Sequence, residues 1–433
     1  MSTAIASRVP ADEAAAGPVR ARDRVLEMDV LRGIALFGVF LVNMVGFCGA
    51  GLMATDQQLM ALPTAALDGM LRNLMHWLVS GKANTLFAFL FGLGFYLQMQ
   101  RAQARGADFD RIYLRRLTVL LVLGVVHTLF FWVWDILNLY ALAGFVLYAL
   151  RRASDRVLLL GGVLLATFSL TAHEALLEYA GLADWHGHAS PNGDEAVLAR
   201  QAAGLAGDYW GLVRVFWEFT LVDWLLTGAI LGWLGHALGR FMIGAWVGRR
   251  GWLQDAVAHL PGFRRVLRWT LPTGLILGGI GHLVGEYGES GRLPAWAYWE
   301  ILGAALHHVA LPVLATGYLC AIVVGLHTPL GHRLLAPFAW PGRMALSNYV
   351  GQSLIYGFVL FGVGPGLSLA GRIGTSTVMA IVVVAYAAQV VSSRWWLARF
   401  RYGPLEWVWR GLTYGRWPAW RIDAASTGAV GTG

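Results

Sequence analysis

The chain has 433 residues, of which 57% are hydrophobic and only 13% charged, with a formal net charge of +8. That is too little charge to cover a soluble domain of this length, and apolar runs of about 20 residues recur from end to end. The composition excludes a water-soluble enzyme and specifies an all-α, polytopic helical transmembrane bundle.

In chain order, residues 1–29 form a polar tail rich in Ala and Arg, expected to be disordered and cytoplasmic, too long and too polar for a cleaved signal peptide. About ten spans follow, expected near 30–52, 84–99, 112–134, 136–150, 157–177, 218–243, 269–287, 301–326, 343–363 and 375–397, so that the bundle occupies 30–397. The second is short for a bilayer core, and the amphipathic stretch 67–80 extends it, with a break near Gly81. The largest loop, about 178–217, opens with turn-forming residues and passes near Gly193 into an amphipathic helix suited to a membrane face. Loop 249–268 is amphipathic and basic, and residues 398–433 form a C-terminal cytoplasmic tail.

The basic residues set the expected orientation. All but six of the 33 Lys and Arg fall on the side that holds both termini; the exceptions are Arg72, Lys82, Arg200, Arg214, Arg292 and Arg372. This asymmetry places both termini in the cytoplasm and the outer loops on the opposite side of the membrane. The net charge therefore reads as a topology signal with anionic lipid as its partner, not as a nucleic-acid surface.

Several polar residues interrupt the apolar spans. His127 lies 15 residues past Ile112, about 22 Å along a helix, which puts it in the outer half of the membrane. Asp135 follows at the outer boundary, with Lys82 at the same level. Ionisable groups inside spans commonly face a cavity or pathway, and histidine accepts and returns protons near neutral pH. The competing reading is a ring satisfied by a backbone carbonyl at a helix contact. At the inner level stand Asp29, Arg32, Arg115, Arg116 and Arg343. Arginine presents a planar fork to phosphate or carboxylate, so several at one level suit an anionic cofactor; each also suits a snorkelling anchor. Span nine, GRMALSNYVGQSLIY, adds Ser347 at i, i+4 from Arg343 and a stripe of Asn348, Gln352 and Tyr356, which Asn43 of span one could join. Such a stripe suits a cavity wall or interhelical hydrogen bonds. His282 and Glu286, the adjacent His307 and His308, and His236 with Arg240 make no metal pattern. Cys48 and Cys320, far apart in apolar segments, make neither a disulfide framework nor a zinc site.

The blocks LEMDVLRGIALFGVFLVNM, GKANTLFAFLFGLGF, RRLTVLLVLGVVHTLFFWVWDILNLYALAG, GRMALSNYVGQS and RYGPLEWVWRGLTY resemble, in order, the signatures of the YeiB-type family of bacterial inner-membrane proteins, also called domain of unknown function 418. They cover the first third and last fifth of the chain. That family is grouped with membrane acyltransferases, including the lysosomal heparan-glucosaminide acetyltransferase and bacterial polysaccharide acyltransferases that begin with an LDxLRG element. MDVLRG at Met28–Gly33 resembles that element, with Met in place of Leu. The motif that carries the lysosomal enzyme's catalytic histidine is absent from this chain.

The resemblance implies transfer of an acyl group from cytoplasmic acyl-CoA, acetyl-CoA included, to an acceptor across the membrane, without a metal. On that expectation Arg32, Arg115, Arg116 and Arg343 hold the anionic part of acyl-CoA, and His127 is the general base. Asp135 or another carboxylate orients it, and Asn43 and Asn348 could stabilise the oxyanion. The expected partners are membrane lipid and an acceptor that is a glycan, a lipid or a small molecule; a homo-oligomer is compatible with this. The alternative is a transporter that carries a small anion or metabolite through the same polar cavity with no covalent step.

Overall fold

The computed structural model describes residues 24–50, 52–133, 135–181, 193–289, 299–355 and 369–422. Among these, regular structure is helical throughout, with only two isolated β-bridges. Seven helices among the described residues are long and apolar enough to cross a membrane. The chain enters through α1 (Leu26–Phe47), whose acidic residues Glu27 and Asp29 suit the positive end of the helix dipole. α2 (Ala65–Leu78) and α3 (Lys82–Ala104) form the extended second span. The break expected near Gly81 is present, with φ 77, a backbone angle that favours glycine. α4 (Phe109–Phe130) starts on an Asp108 cap to Arg111 N and runs to the opposite end of the bundle. α5 (Leu137–Ala149) returns beside it. α6 (Gly162–Tyr179) completes the first half.

The loop expected to carry an amphipathic helix carries two, α7 (Asp194–Leu205) and α8 (Tyr209–Phe219). α8 buries Leu212, Val213, Phe216 and Phe219 on one face. It is tied down by Tyr209 donating to the Phe130 carbonyl (2.9 Å) and Trp217 to that of Leu129 (3.0 Å). The early part of the loop lies outside the described residues.

The expected boundaries differ in three places. The stretch 218–243 is not one span: a π-helical turn over Thr220–Leu226 ends at left-handed Gly228 before α9 (Ala229–Arg250) begins. The loop 249–268 is largely helical, because α10 (Ala256–Glu289) is continuous through Pro261 and Pro272 and takes in the expected span 269–287. It pairs with α11 (Trp299–Leu326). The stretch 343–363 opens as two short helices, α12 (Ala339–Arg343) and α13 (Ala345–Leu354), and its second half lies outside the described residues. α14 (Thr375–Leu397) and α15 (Pro404–Tyr414) close the chain. α15 gives the expected C-terminal tail a helix that packs against α4.

Lipid offers no hydrophobic drive between spans, so close backbone approach has to supply much of the packing. α3 and α9 show this most plainly. A Cβ on Gly92 would meet the Phe241 carbonyl, and one on Gly244 would meet that of Phe89. Gly92→Ala should therefore cost about 1–3 kcal/mol of stability in a thermal or denaturant unfolding assay. Gly94→Ala, on the same helix with its nearest neighbour 4.0 Å away, should stay within about 0.5 kcal/mol of wild type. Equal effects would disprove the α3–α9 contact.

Candidate functional site: a buried histidine–aspartate pair behind an arginine-lined cavity

α4 ends where Phe131 N and Trp132 N both donate to the His127 carbonyl (2.9 and 2.8 Å), and the chain reverses. Gly124 has no Cβ to block the backbone at Asn138, so the start of α5 comes close against α4. Asp135, just before α5, is thereby turned inward and is fully buried. Its Oδ2 accepts from Leu137 N (2.9 Å) and Asn138 N (3.2 Å), as a carboxylate does at a helix N-terminus. Its Oδ1 accepts from the Tyr349 hydroxyl (3.1 Å) and pairs with His127 Nδ1 at 2.9 Å. Asn138 adds a second link, donating to Thr128 Oγ1 at 2.8 Å.

This geometry selects the tautomer. An ionised carboxylate only accepts, so His127 Nδ1 carries the proton and Nε2 keeps its lone pair. Nε2 is buried and has no hydrogen-bond partner among the described residues. The His127 ring is 3% exposed and lies 5.4 Å from the Tyr349 ring, centroid to centroid.

A cavity of about 280 Å³ leads toward this pair from the arginine-rich end. Arg24, Arg32, Arg101, Arg116, Arg343 and Arg410 line it, against two carboxylates, Asp29 and Glu406. Asp29 is engaged by Arg32 (3.0 Å) and Arg24 (3.8 Å). Glu406 accepts from Leu346 N (2.7 Å), Ser347 N (3.1 Å) and the Ser347 hydroxyl, which pins α15 to the start of α13. Burial pushes the Glu406 carboxyl above its ordinary range, and the Ser347 hydrogen bonds work against that. The Arg116 guanidinium lies 3.7 Å from the centre of the Trp409 ring, whose Nε1 donates to the Arg116 carbonyl (3.1 Å). Arg343 Nε is buried without a hydrogen-bond partner among the described residues. The surplus of guanidinium over carboxylate makes the cavity attractive to phosphate or carboxylate. Its deep end is formed by Ile136, Leu137, Tyr140 and Tyr349.

Of the residues singled out in the sequence, His127 and Asp135 are in direct contact, and Asp135 is fully buried within the protein. Arg32, Arg116 and Arg343 share the cavity. Arg115 does not: it is exposed, with its guanidinium against Gly415, because the helical turn points adjacent arginines in different directions. Asn348 is also elsewhere, donating to Ser393 Oγ (3.0 Å) and the Pro341 carbonyl (3.4 Å). Gln352 donates to Gln389 (2.9 Å), so this part of the stripe is interhelical hydrogen bonding. Tyr356 lies outside the described residues. Asn43 is half-buried on α1 and does not line the cavity. Lys82 is buried, with its ammonium donating to the His76 carbonyl (3.2 Å). Among the described residues no group of His, Cys, Asp and Glu is arranged to hold a metal.

Sequence reasoning missed Tyr349, Glu406, Arg410, Arg24 and Arg101. The i, i+4 spacing of Glu406 and Arg410 within RYGPLEWVWR was the available signal for two of them.

The chain matches the family described as "Protein of unknown function (DUF418)" over residues 247–416. It is 29% identical to uncharacterized protein YeiB of Escherichia coli over 422 residues, covering 90% of this chain and 96% of that protein. It is 28% identical to uncharacterized protein YxaH of Bacillus subtilis over 407 residues, covering 92% and 96%. The matched segment contains Arg343, Tyr349, Glu406 and Arg410, whereas His127, Asp135 and Arg116 precede it.

Asp135→Ala would strand the His127 and Tyr349 donors and two backbone N–H groups. It should lower unfolding stability by about 3 kcal/mol or more. Tyr349→Phe removes one donor and should cost about 1 kcal/mol. If both changes stayed within about 0.5 kcal/mol in a chemical-denaturation series, the buried hydrogen-bond cluster would be disproved.

Proposed function

We propose that this protein is an inner-membrane acyltransferase with both termini in the cytoplasm, moving an acyl group from cytoplasmic acyl-CoA to an acceptor on the other side. The observation that carries this reading is the His127–Asp135 pair. Its imidazole is oriented by a buried carboxylate, its Nε2 lone pair is free of hydrogen bonds among the described residues, and it stands behind a cavity lined by six arginines. The arginine positions suit the phosphates of CoA at the mouth, with the thioester toward Tyr349.

In the proposed reaction, His127 Nε2 takes the proton of an acceptor hydroxyl or amine as its oxygen or nitrogen attacks the thioester carbonyl. The C–S bond then breaks, the acyl group stays on the acceptor, and CoA leaves as a thiolate that recovers the proton from the imidazolium. Asp135 stabilises that imidazolium through Nδ1. Tyr349 lines the cavity where His127 does not, so a turn of the Tyr349 side chain is the step that brings Nε2 and the thioester together. The competing reading, transport of a small anion, draws on the closure of the cavity at Tyr349 and makes no bond.

Turnover separates the two. Purified protein given labelled acetyl-CoA and a candidate acceptor should release free CoA in proportion to acyl product. His127→Gln should fold normally and lose about 10²–10⁴-fold in rate. Anion flux in proteoliposomes without CoA release would establish the transporter instead.

CoA binding tests the arginines. Arg343→Ala should weaken CoA binding about tenfold or more, and Arg343→Lys should recover only part of it, because the bidentate fork is lost. Unchanged binding by a folded Arg343→Ala protein would remove Arg343 from the donor site.

Orientation follows from the positive-inside distribution. Reporter fusions after Gly187 and at the C-terminus should give opposite readings, and matching readings would reverse the assignment of donor and acceptor sides.

A further inference from the structure

A second cavity lies on the other side of α3, between α9, α10 and α11, with a volume of about 540 Å³. Its walls are apolar, formed among others by Phe89, Trp246, Trp252, Phe263 and Leu319. Trp246 and Trp252 meet edge to face at 5.3 Å near one end. Thr85, His259 and Thr316 also line it, but each is bonded to the carbonyl four residues earlier, which leaves Arg240, 5% exposed near the middle of α9, as the polar group without such a bond.

Arg240 donates to His236 Nε2, so the histidine is an acceptor there and brings no negative charge. Among the described residues no carboxylate pairs with this guanidinium. A buried charge is paired in most proteins, because removing it from water otherwise costs several kcal/mol. Inside a membrane span such a charge marks a ligand or pathway by default. The open cavity beside Arg240 supplies the place for the missing partner.

We propose that this cavity binds an amphipathic monocarboxylate, a free fatty acid of medium chain length, with its carboxylate on Arg240 and its chain along the Trp246–Trp252 wall. The charge demands one anion, and the apolar lining demands that the rest of the ligand carry no hydrogen-bonding groups. Length sets the class further. From Arg240 to Val247 at the far part of the groove is about 10 Å along the helix, which suits a medium chain and is short for a long one. The volume falls within the range of about 300–1,000 Å³ usual for small-molecule sites. The site uses none of the arginines of the first cavity and does not depend on the acyltransfer reading.

Equilibrium binding of labelled decanoate to the full chain in nanodiscs of zwitterionic lipid tests this. Decanoate should bind saturably at one site, at least tenfold more tightly than decanol, and each methylene removed should weaken it about fourfold. Arg240→Gln should cost decanoate at least tenfold and leave decanol unchanged. Thr316→Trp fills the groove from its exposed edge, leaves Arg240 in place, and should abolish binding of both. Should Arg240→Gln fail to fold, the decanol comparison and Thr316→Trp still decide the matter. Equal binding of decanoate and decanol, or a decanoate isotherm unmoved by Thr316→Trp, would overturn the proposal. So would full displacement by phosphatidylglycerol at ordinary membrane content, which would assign the groove to a structural lipid.

Discussion

A single buried carboxylate organises the part of the bundle where α4, α5 and α13 meet. Asp135 has no exposure and accepts from two backbone N–H groups, one tyrosine hydroxyl and one imidazole. Without donors, a charge in that position would cost several kcal/mol and would shed itself by taking up a proton. With four donors it is satisfied, and each is held in return. The start of α5 is fixed against α4, the His127 tautomer is set, and α13 is drawn in from more than two hundred residues away through Tyr349. The close approach at Gly124 is the steric condition for this, because any side chain there would push the start of α5 away.

The second organising contact is also a carboxylate at the start of a helix. Glu406 accepts from Leu346 N, Ser347 N and the Ser347 hydroxyl, and so joins α15 to α13. Trp409 then docks on α4 through the Arg116 carbonyl and guanidinium. The helix after the last span thus closes one wall of the cavity and presents Arg410 to it. The two contacts sit about one turn apart on α13, one at its N-terminus and one at Tyr349 in its middle. The cavity between them is consequently bounded by elements that polar contacts hold in place, as a preformed ligand site requires.

Much of the fold was legible because lipid imposes so strict a rule. Long apolar helices satisfy their own backbone, so their existence follows from hydropathy, as for α1, α4 and α14. Boundaries were harder wherever glycine or arginine fell inside an apolar run. Gly228 ended a helix in the expected span 218–243, and Arg264, Arg265 and Arg268 did not end α10. At the site, His127 and Asp135 were legible as polar residues where lipid would prefer none. Their contact was not, since eight residues along one helix would place them about 12 Å apart. Only the reversal after Phe130 brings them together. Tyr349 was hidden because a tyrosine in an apolar span looks like packing. Arg115 misled because adjacent arginines share a level but not a direction.

The central polar atoms also argue against a purely packing role for His127. A histidine retained for helix contact would be expected to satisfy both ring nitrogens, since leaving a buried acceptor unpaired costs about 1–3 kcal/mol. Here Nδ1 is committed to a carboxylate, while Nε2 is buried with no partner among the described residues. The carboxylate fixes the ring's orientation through Nδ1 and leaves the other nitrogen for a further partner. Orienting a ring this way spends a buried charge, a hydrogen-bond geometry that joins three helices and a glycine contact on one lone pair. Leucine in the same position would ask for none of these. That lone pair is what the proposed acyl transfer would draw on, and leucine would not supply it.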